Sequence, residues 1–121
     1  MAEADPTRVF FENSQPILRV ENMDASLRFY VELLGFKNAV WGTSEFTSVN
    51  RDRAGIYLCQ RGQGQGKAWI WVGVGDVEKL LEEYKALGVK ILMPPTNFPW
   101  ALEMHIEDPD GNVIRFGSDP R

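Results

Sequence analysis

The stretch QPILRVENMDASLRFYVELLGF, residues 15–36, decides the fold because a strand, a helix start and a helix end follow one another within it. Polar and apolar residues alternate over 15–20, which predicts a strand with one buried face. Asn22 and Asp24 are typical of a helix N-terminus, and large apolar residues then recur at helical spacing until Gly35 ends the run. The stretch therefore predicts a half-buried strand followed by an amphipathic helix.

The second half of the chain repeats this order. A strand is predicted over 68–74, and Asp76 suits the N-cap of a second helix. That helix ends at a Leu-Gly pair, 87–88, which matches the pair at 34–35. We therefore predict an α+β fold in which two tandem βαβββ modules form a cup-shaped sheet with the helices outside.

The same patterns predict the limits of each part. In chain order these are a lead-in (1–13), a single domain (14–117) made of module one (about 14–61), a linker (62–67) and module two (about 68–117), and a tail (118–121). Phe10 and Phe11 in the lead-in are expected to pack on the domain. A strand is expected over 36–41, and the proline-rich segment 94–99 is expected to be a rigid loop, because proline lacks a backbone donor.

The composition excludes several classes of protein. Of the 121 residues, 44% are hydrophobic and 25% charged, as in globular chains, and no window approaches the roughly 18 apolar residues that a membrane span needs. The net charge is −4 without a basic cluster, which argues against a nucleic-acid partner. Cys59 is the only cysteine and the first residues show no secretory signal, so a cytoplasmic location is expected.

Alternation along the strands also predicts which side chains line the cup. The lining set includes Gln15, Ile17, Arg19, Trp69, Trp71 and Arg115. Trp100 follows the proline-rich segment and is a candidate groove wall, while Trp41 and Phe46 flank a turn in the first module. Aromatic faces stack on flat rings and attract cations, so these residues are typical of a small-molecule binding surface.

The chain resembles the vicinal oxygen chelate superfamily, which includes glyoxalase I, extradiol dioxygenases, fosfomycin resistance enzymes and bleomycin resistance proteins. Residues 15–36 resemble its first module, and DPDGNVIRF, residues 108–116, resembles the closing hairpin of its second. The resemblance covers about residues 14–117. It implies the tandem-module fold and a homodimer.

The resemblance also implies where a metal would be held. Gln15 stands at the first ligand position, whereas the strand over 56–60 offers no carboxylate for the second. Trp69 and Arg115 stand at the third and fourth positions, where Trp cannot ligate and a guanidinium repels a divalent cation. We therefore expect no metal and no cofactor.

The remaining features resemble the bleomycin resistance branch. They are the strand AWIWV, residues 68–72, and FPWALEMHIEDPDGN, residues 98–112, with Ala101 where the branch often has Gly. Such proteins sequester a flat, cationic antibiotic in a groove at a dimer interface. The resemblance implies a metal-free protein that binds a flat or cationic antibiotic-like ligand, with candidate contacts Trp69, Trp71, Trp100, Arg115, Arg19, Trp41 and Phe46.

No catalytic residue is expected. Glu103 and His105 share a strand face, but a nucleophile and an orienting group are missing, and Glu103 is expected to pair with Arg19 or Arg115. Two alternatives stay open. One is a metalloenzyme, such as a glyoxalase-like lyase, an isomerase or a dioxygenase, with a non-standard ligand set of Gln15, Glu103 and His105. The other is a regulatory module that binds a partner protein through exposed aromatic residues.

Overall fold

The computed structural model describes residues 7–64 and 66–121, and their elements follow the predicted order. The elements are β1 (Ile17–Val20), α1 (Met23–Leu27) with a π-helical continuation (Arg28–Leu33), β2 (Lys37–Asn38), β3 (Phe46–Arg51), β4 (Ala54–Gln60), β5 (Trp69–Gly73), α2 (Val77–Ala86), β6 (Ile91–Asn97), β7 (Leu102–Glu107) and β8 (Val113–Ser118). The prediction of an α+β fold with two tandem βαβββ modules is confirmed.

The strands form two four-stranded sheets with the same topology. The first has the order β1-β4-β3-β2 and the second the order β5-β8-β7-β6. In each sheet the first strand pairs in parallel with the last, and the other pairs are antiparallel. The hydrogen-bonded ladders stay within each module, so one chain presents two separate sheets.

Both modules contribute to one apolar core. Leu18 and Val20 of β1 are buried, while Ile17 and Arg19, which alternate with them, face the other side, as the alternation predicts. Tyr84 of α2 joins the modules, because its hydroxyl donates to the Leu34 carbonyl at 2.9 Å. One face of each sheet is therefore packed on the core. The opposite face, which we call the uncovered face, carries the predicted lining residues.

The helix ends follow the predicted signals. The side chain of Asn22 accepts from the Ala25 amide and that of Asp76 accepts from the Lys79 amide, each at 3.0 Å. Gly35 has φ 81°, a left-handed conformation that favours glycine at a helix end. Among the described residues, no helix is long and apolar enough to cross a membrane.

The strand predicted over 36–41 is wrong beyond Asn38. The Ala39 amide still bonds to the Ser48 carbonyl at 2.8 Å, but the Gly42 amide then bonds to the Ala39 carbonyl at 3.1 Å and closes a turn. Val40 and Trp41 lie in this turn and are exposed. The turn takes Trp41 out of the ladder.

Two other expectations are also wrong. The segment 94–99 is not a loop throughout, since β6 runs through both prolines to Asn97. This strand is at the edge of its sheet and its register shifts on either side of Met93, which are the positions in a sheet where proline is tolerated. Phe10 and Phe11 do not pack on the domain, because 66% and 89% of their surfaces are exposed.

The turn after β7 ties the two modules together through Asp108. This buried carboxylate accepts from the Tyr30 hydroxyl and from the Asn112 side-chain amide, both at 2.8 Å, and from the Asp110 and Asn112 backbone amides at 2.9 Å. Burial, followed by the neighbouring Asp108 charge, raises the pKa of Tyr30 well above its ordinary value of 10.0. The Tyr30 hydroxyl is therefore a fixed donor at neutral pH.

Replacing Tyr30 with phenylalanine should lower the free energy of unfolding by about 1–2 kcal/mol, because Asp108 loses a buried donor. Urea denaturation followed by circular dichroism measures this change. Tyr57→Phe is the matched control, since Tyr57 is only half-buried and should change the value by less than about 0.5 kcal/mol. Equal effects of the two substitutions would contradict a role for the Tyr30–Asp108 bond.

Candidate ligand-binding site

A buried carboxylate, Glu103 of β7, lies at the centre of the uncovered face of the second sheet. Its Oε1 accepts from Arg115 Nη2 at 2.7 Å and Nε at 2.9 Å, and lies 3.1 Å from His105 Nε2. Its Oε2 accepts from Trp100 Nε1 at 2.8 Å, from Arg115 Nη2 at 2.9 Å and from Trp71 Nε1 at 3.1 Å. The carboxylate, fully shielded from solvent, is thus surrounded by donors.

Two neighbouring rows of cross-strand partners bring these groups together. One row crosses β5, β8 and β7 through Trp71, Arg115 and His105, and the next crosses the same strands through Gly73, Gly117 and Glu103. Residues two apart on a strand share a face, so both rows project from the same side of the sheet. In the second row only Glu103 has a side chain, because the other two residues are glycines. This side chain is hydrogen-bonded to all three residues of the first row.

The electrostatics of the site favour an ionised carboxylate. Burial raises the pKa of Glu103, but the hydrogen bonds from His105, Arg115, Trp100 and Trp71 together lower it further, to about 2. The nearby guanidinium of Arg115 balances the negative charge, as a buried carboxylate requires. The pair adds no net charge to this face at neutral pH.

Three tryptophans on this face present open ring surfaces. Trp69, Trp71 and Trp100 are 61%, 54% and 61% exposed, although the indole N–H groups of two of them are bonded to Glu103. Phe98 stacks on Trp100 with the ring centroids 4.9 Å apart and the planes 8° apart. We name these four side chains the aromatic wall.

The remaining predicted contacts lie on the first sheet. Trp41 stacks on Phe46 with centroids 6.3 Å apart, and Tyr57 packs against Phe46 at 5.2 Å; we name these three residues the first-sheet cluster. Arg19 of β1 faces the same side and lies 3.6 Å from Glu21. The structure thus joins Trp71, Trp100 and Arg115 around one carboxylate. Trp69 lies beside this group, with its ring centroid 6.0 Å from that of His105, and Arg19, Trp41 and Phe46 lie elsewhere.

Sequence reasoning missed several members of these groups. It anticipated Arg19 or Arg115 as a partner of Glu103, and the structure shows Arg115, but it did not anticipate the two indole N–H groups. Tyr57 alternates onto the same face as Phe46's partner Cys59, so strand alternation would have found it. No sequence pattern places Gly73 and Gly117 in the same row as Glu103, because that position depends on the register between strands.

A cavity of about 880 Å³ lies between the two modules, a volume typical of small-molecule sites. Its lining combines charged and apolar side chains, including Arg51, Glu83, Phe36, Ile56, Leu80 and Phe116. Of the seven predicted contact residues, Trp71 alone lines it. Trp71 therefore belongs to the aromatic wall and also lines this cavity.

The side chains of the site do not fit a divalent cation. Across residues 7–64 and 66–121, no three His, Cys, Asp or Glu side chains form a group that could hold a metal ion. In the alternative ligand set, both oxygens of Glu103 already accept from several donors, one of them the cationic Arg115. Gln15 precedes β1 in the other module, where its side-chain oxygen accepts from Ser48 at 3.2 Å.

Comparison with known proteins supports the tandem-module resemblance. The sequence model of the Glyoxalase/Bleomycin resistance protein/Dioxygenase superfamily matches residues 14–116. No curated protein matches the chain.

Solved structures match nearly the whole chain. A bleomycin-binding protein from bleomycin-producing Streptomyces verticillus, complexed with copper(II)-bleomycin, has 25% identity and a TM-score of 0.78 over 92% of this chain and 98% of that one. TnmS3, an antibiotic binding protein from Streptomyces sp. CB03234, has 21% identity and a TM-score of 0.79 over 93% and 99%. Lactoylglutathione lyase from Agrobacterium tumefaciens has 18% identity and a TM-score of 0.73 over 88% and 92%.

Acid should destabilise the protein through Glu103. Below its ordinary pKa of 4.5 the unfolded side chain takes up a proton, whereas the folded one stays ionised down to about pH 2. The contribution of Glu103 to the free energy of unfolding is therefore constant above about pH 4.5 and falls by about 3 kcal/mol as the pH drops towards 2. Urea denaturation at a series of pH values measures this loss.

Two variants assign the loss to this residue. Glu103→Gln should be less stable at pH 7 and should lose less stability between pH 4.5 and 2 than the unmodified protein. Glu107→Gln changes an exposed carboxylate on the same strand and should keep the original acid dependence. An unchanged acid dependence in Glu103→Gln would contradict the assignment.

Proposed function

Because the chain belongs to the Glyoxalase/Bleomycin resistance protein/Dioxygenase superfamily, we propose that it sequesters a flat or cationic antibiotic-like small molecule on the aromatic wall, without a chemical reaction. The observation that carries this proposal is the anchoring of two exposed tryptophans, Trp71 and Trp100, by one buried carboxylate. Exposed side chains are otherwise free to rotate. Ordering them in advance lowers the entropy cost of binding.

The wall suits flat and cationic ligands for different reasons. Open indole faces stack on planar rings, and the same faces attract cations through the ring quadrupole. The net charge of −4 adds a weak general attraction for a cation. The charges of Glu103 and Arg115 cancel, so stacking on the wall is the main contribution we propose.

The similarity to the Streptomyces verticillus protein supports this class of ligand. That protein binds copper(II)-bleomycin, and its 25% identity extends over 92% of this chain. The lyase similarity, at 18% identity, concerns the fold alone. The donor-saturated state of Glu103 further favours binding over metal-dependent chemistry.

We also propose a cytoplasmic homodimer in which the complete groove forms between two copies. In one chain the aromatic wall and the first-sheet cluster belong to separate sheets. A second copy could place its own first-sheet cluster, with Arg19, opposite the wall, so that a ligand is covered on both sides. The single, buried Cys59 is compatible with a reducing compartment.

Ligand binding should depend on the wall. Isothermal titration calorimetry with bleomycin and with 9-aminoacridine, a planar cation, should detect binding to the unmodified protein. Trp71→Ala and Trp100→Ala should each weaken it about tenfold or more, because stacking on one aromatic side chain contributes about 1–3 kcal/mol. Leu87→Ala is the control, since Leu87 is exposed at the end of α2.

Three results would contradict this proposal. They are no binding of either compound, equal binding by the tryptophan variants, and one tightly held metal ion per chain after purification without chelator. The last result would favour the metalloenzyme alternative. A partner protein captured through the wall residues, with no small-molecule binding, would favour the regulatory alternative.

The proposed homodimer predicts a solution mass of twice the 13.7 kDa chain. Sedimentation equilibrium measures the mass directly. Trp41→Glu should shift the equilibrium towards monomers, because it places a charge where the two copies would meet. A 13.7 kDa species that still binds ligand would overturn the interface but not the wall.

A further inference from the structure

The Trp71 indole lies over two glycines of the sheet. A Cβ atom built on Gly117 would be 2.6 Å from Cζ2, 2.9 Å from Cε2 and 3.0 Å from Nε1 of the indole. A Cβ atom on Gly73 would be 3.0 Å from Cζ3 and 3.2 Å from Cη2. Adjoining parts of the ring therefore lie over two glycines that are cross-strand partners.

These glycines are needed for space and not for backbone conformation. Neither has a positive φ, so an alanine could adopt the same backbone at both positions. The added methyl group at Gly117 would, however, overlap the indole, since real Cβ atoms essentially never come within 3.0 Å of such a neighbour. An alanine there must displace Trp71.

The direction of the ring follows from the neighbouring row. Gly117 is the cross-strand partner of Glu103, so the indole crosses Gly117 and ends with its N–H 3.1 Å from the carboxylate. One side of the ring faces the glycine backbone, and 54% of the residue remains exposed. The indole is thus held close to the sheet at the two glycines while about half of the residue stays open to a ligand.

We propose that Gly73 and Gly117 are specificity determinants of the site: they let Trp71 lie along the sheet, and its open face selects ligands with a planar ring system. This inference rests on the proposed binding function. Arg115 extends the ligand class, because its Nη1 makes no hydrogen bond in the described part of the chain while Nε and Nη2 hold Glu103. A planar ring that carries an acceptor group matches both features.

The test compares two bicyclic carboxylates, one aromatic and planar and the other saturated and puckered. The probes are 2-naphthoate and decalin-2-carboxylate, which share the carbon skeleton and the carboxylate, but only the first is flat. Calorimetry should show that the unmodified protein binds 2-naphthoate at least tenfold more tightly. Gly117→Ala should weaken 2-naphthoate binding at least tenfold and bring the two affinities within about threefold of each other.

Two further variants separate this role from a general effect on the sheet. Gly75→Ala is the matched control, since a Cβ there meets nothing within 4 Å, and it should leave both affinities unchanged. In a Trp71→Ala background, adding Gly117→Ala should change 2-naphthoate binding less than twofold, because the glycine acts through the indole. If Gly117→Ala does not fold, Gly73→Ala tests the same recess with a smaller overlap.

The outcomes distinguish this inference from the function on which it rests. If the unmodified protein binds both probes equally, or if Gly117→Ala keeps the preference for 2-naphthoate, the glycine role is wrong and sequestration still stands. The glycine role is also wrong if Gly117→Ala weakens 2-naphthoate binding equally in the unmodified protein and in the Trp71→Ala background. If neither these probes nor bleomycin and 9-aminoacridine bind, the proposed function fails as well.

Discussion

The ligand face depends on one interaction, the saturation of the buried Glu103 carboxylate by hydrogen-bond donors. A charge removed from water is costly unless paired and fully bonded, and here Arg115 supplies the opposite charge. The remaining donors include the N–H groups of Trp71 and Trp100. The need to satisfy a buried charge therefore orders two exposed side chains that would otherwise lose little by rotating away.

A second buried carboxylate performs a structural task a short distance along the same segment. Asp108 follows the end of β7 and holds the turn before β8, while the Tyr30 hydroxyl binds it from the first module. The β7–β8 hairpin thus connects to the rest of the domain at its turn and carries the ligand face along its strands. Distortion of this hairpin would affect both the module contact and the positions of the tryptophans.

Local signals predicted most of the fold because their physical causes are local. Asn22 and Asp76 cap helices through bonds that span three residues, and Gly35 ends a helix through its own backbone conformation. The errors arose where tertiary position overrides local preference. Pro94 belongs to a strand because that strand is at the sheet edge, and Trp41 leaves its predicted strand because the Ala39–Gly42 turn intervenes.

The sequence by itself determined the tandem modules, the helix ends and the sheet face on which Trp69, Trp71, Arg19 and Arg115 lie. Alternation along a strand suffices for that, because successive side chains point to opposite faces whatever the strand pairs with. Only the tertiary structure decided that Glu103 lies opposite Gly117, one row from Arg115. Register between strands is set by packing across the whole sheet, and the shared carboxylate and the glycine recess under Trp71 follow from it. Trp41 is apart from the wall because the two modules form separate sheets.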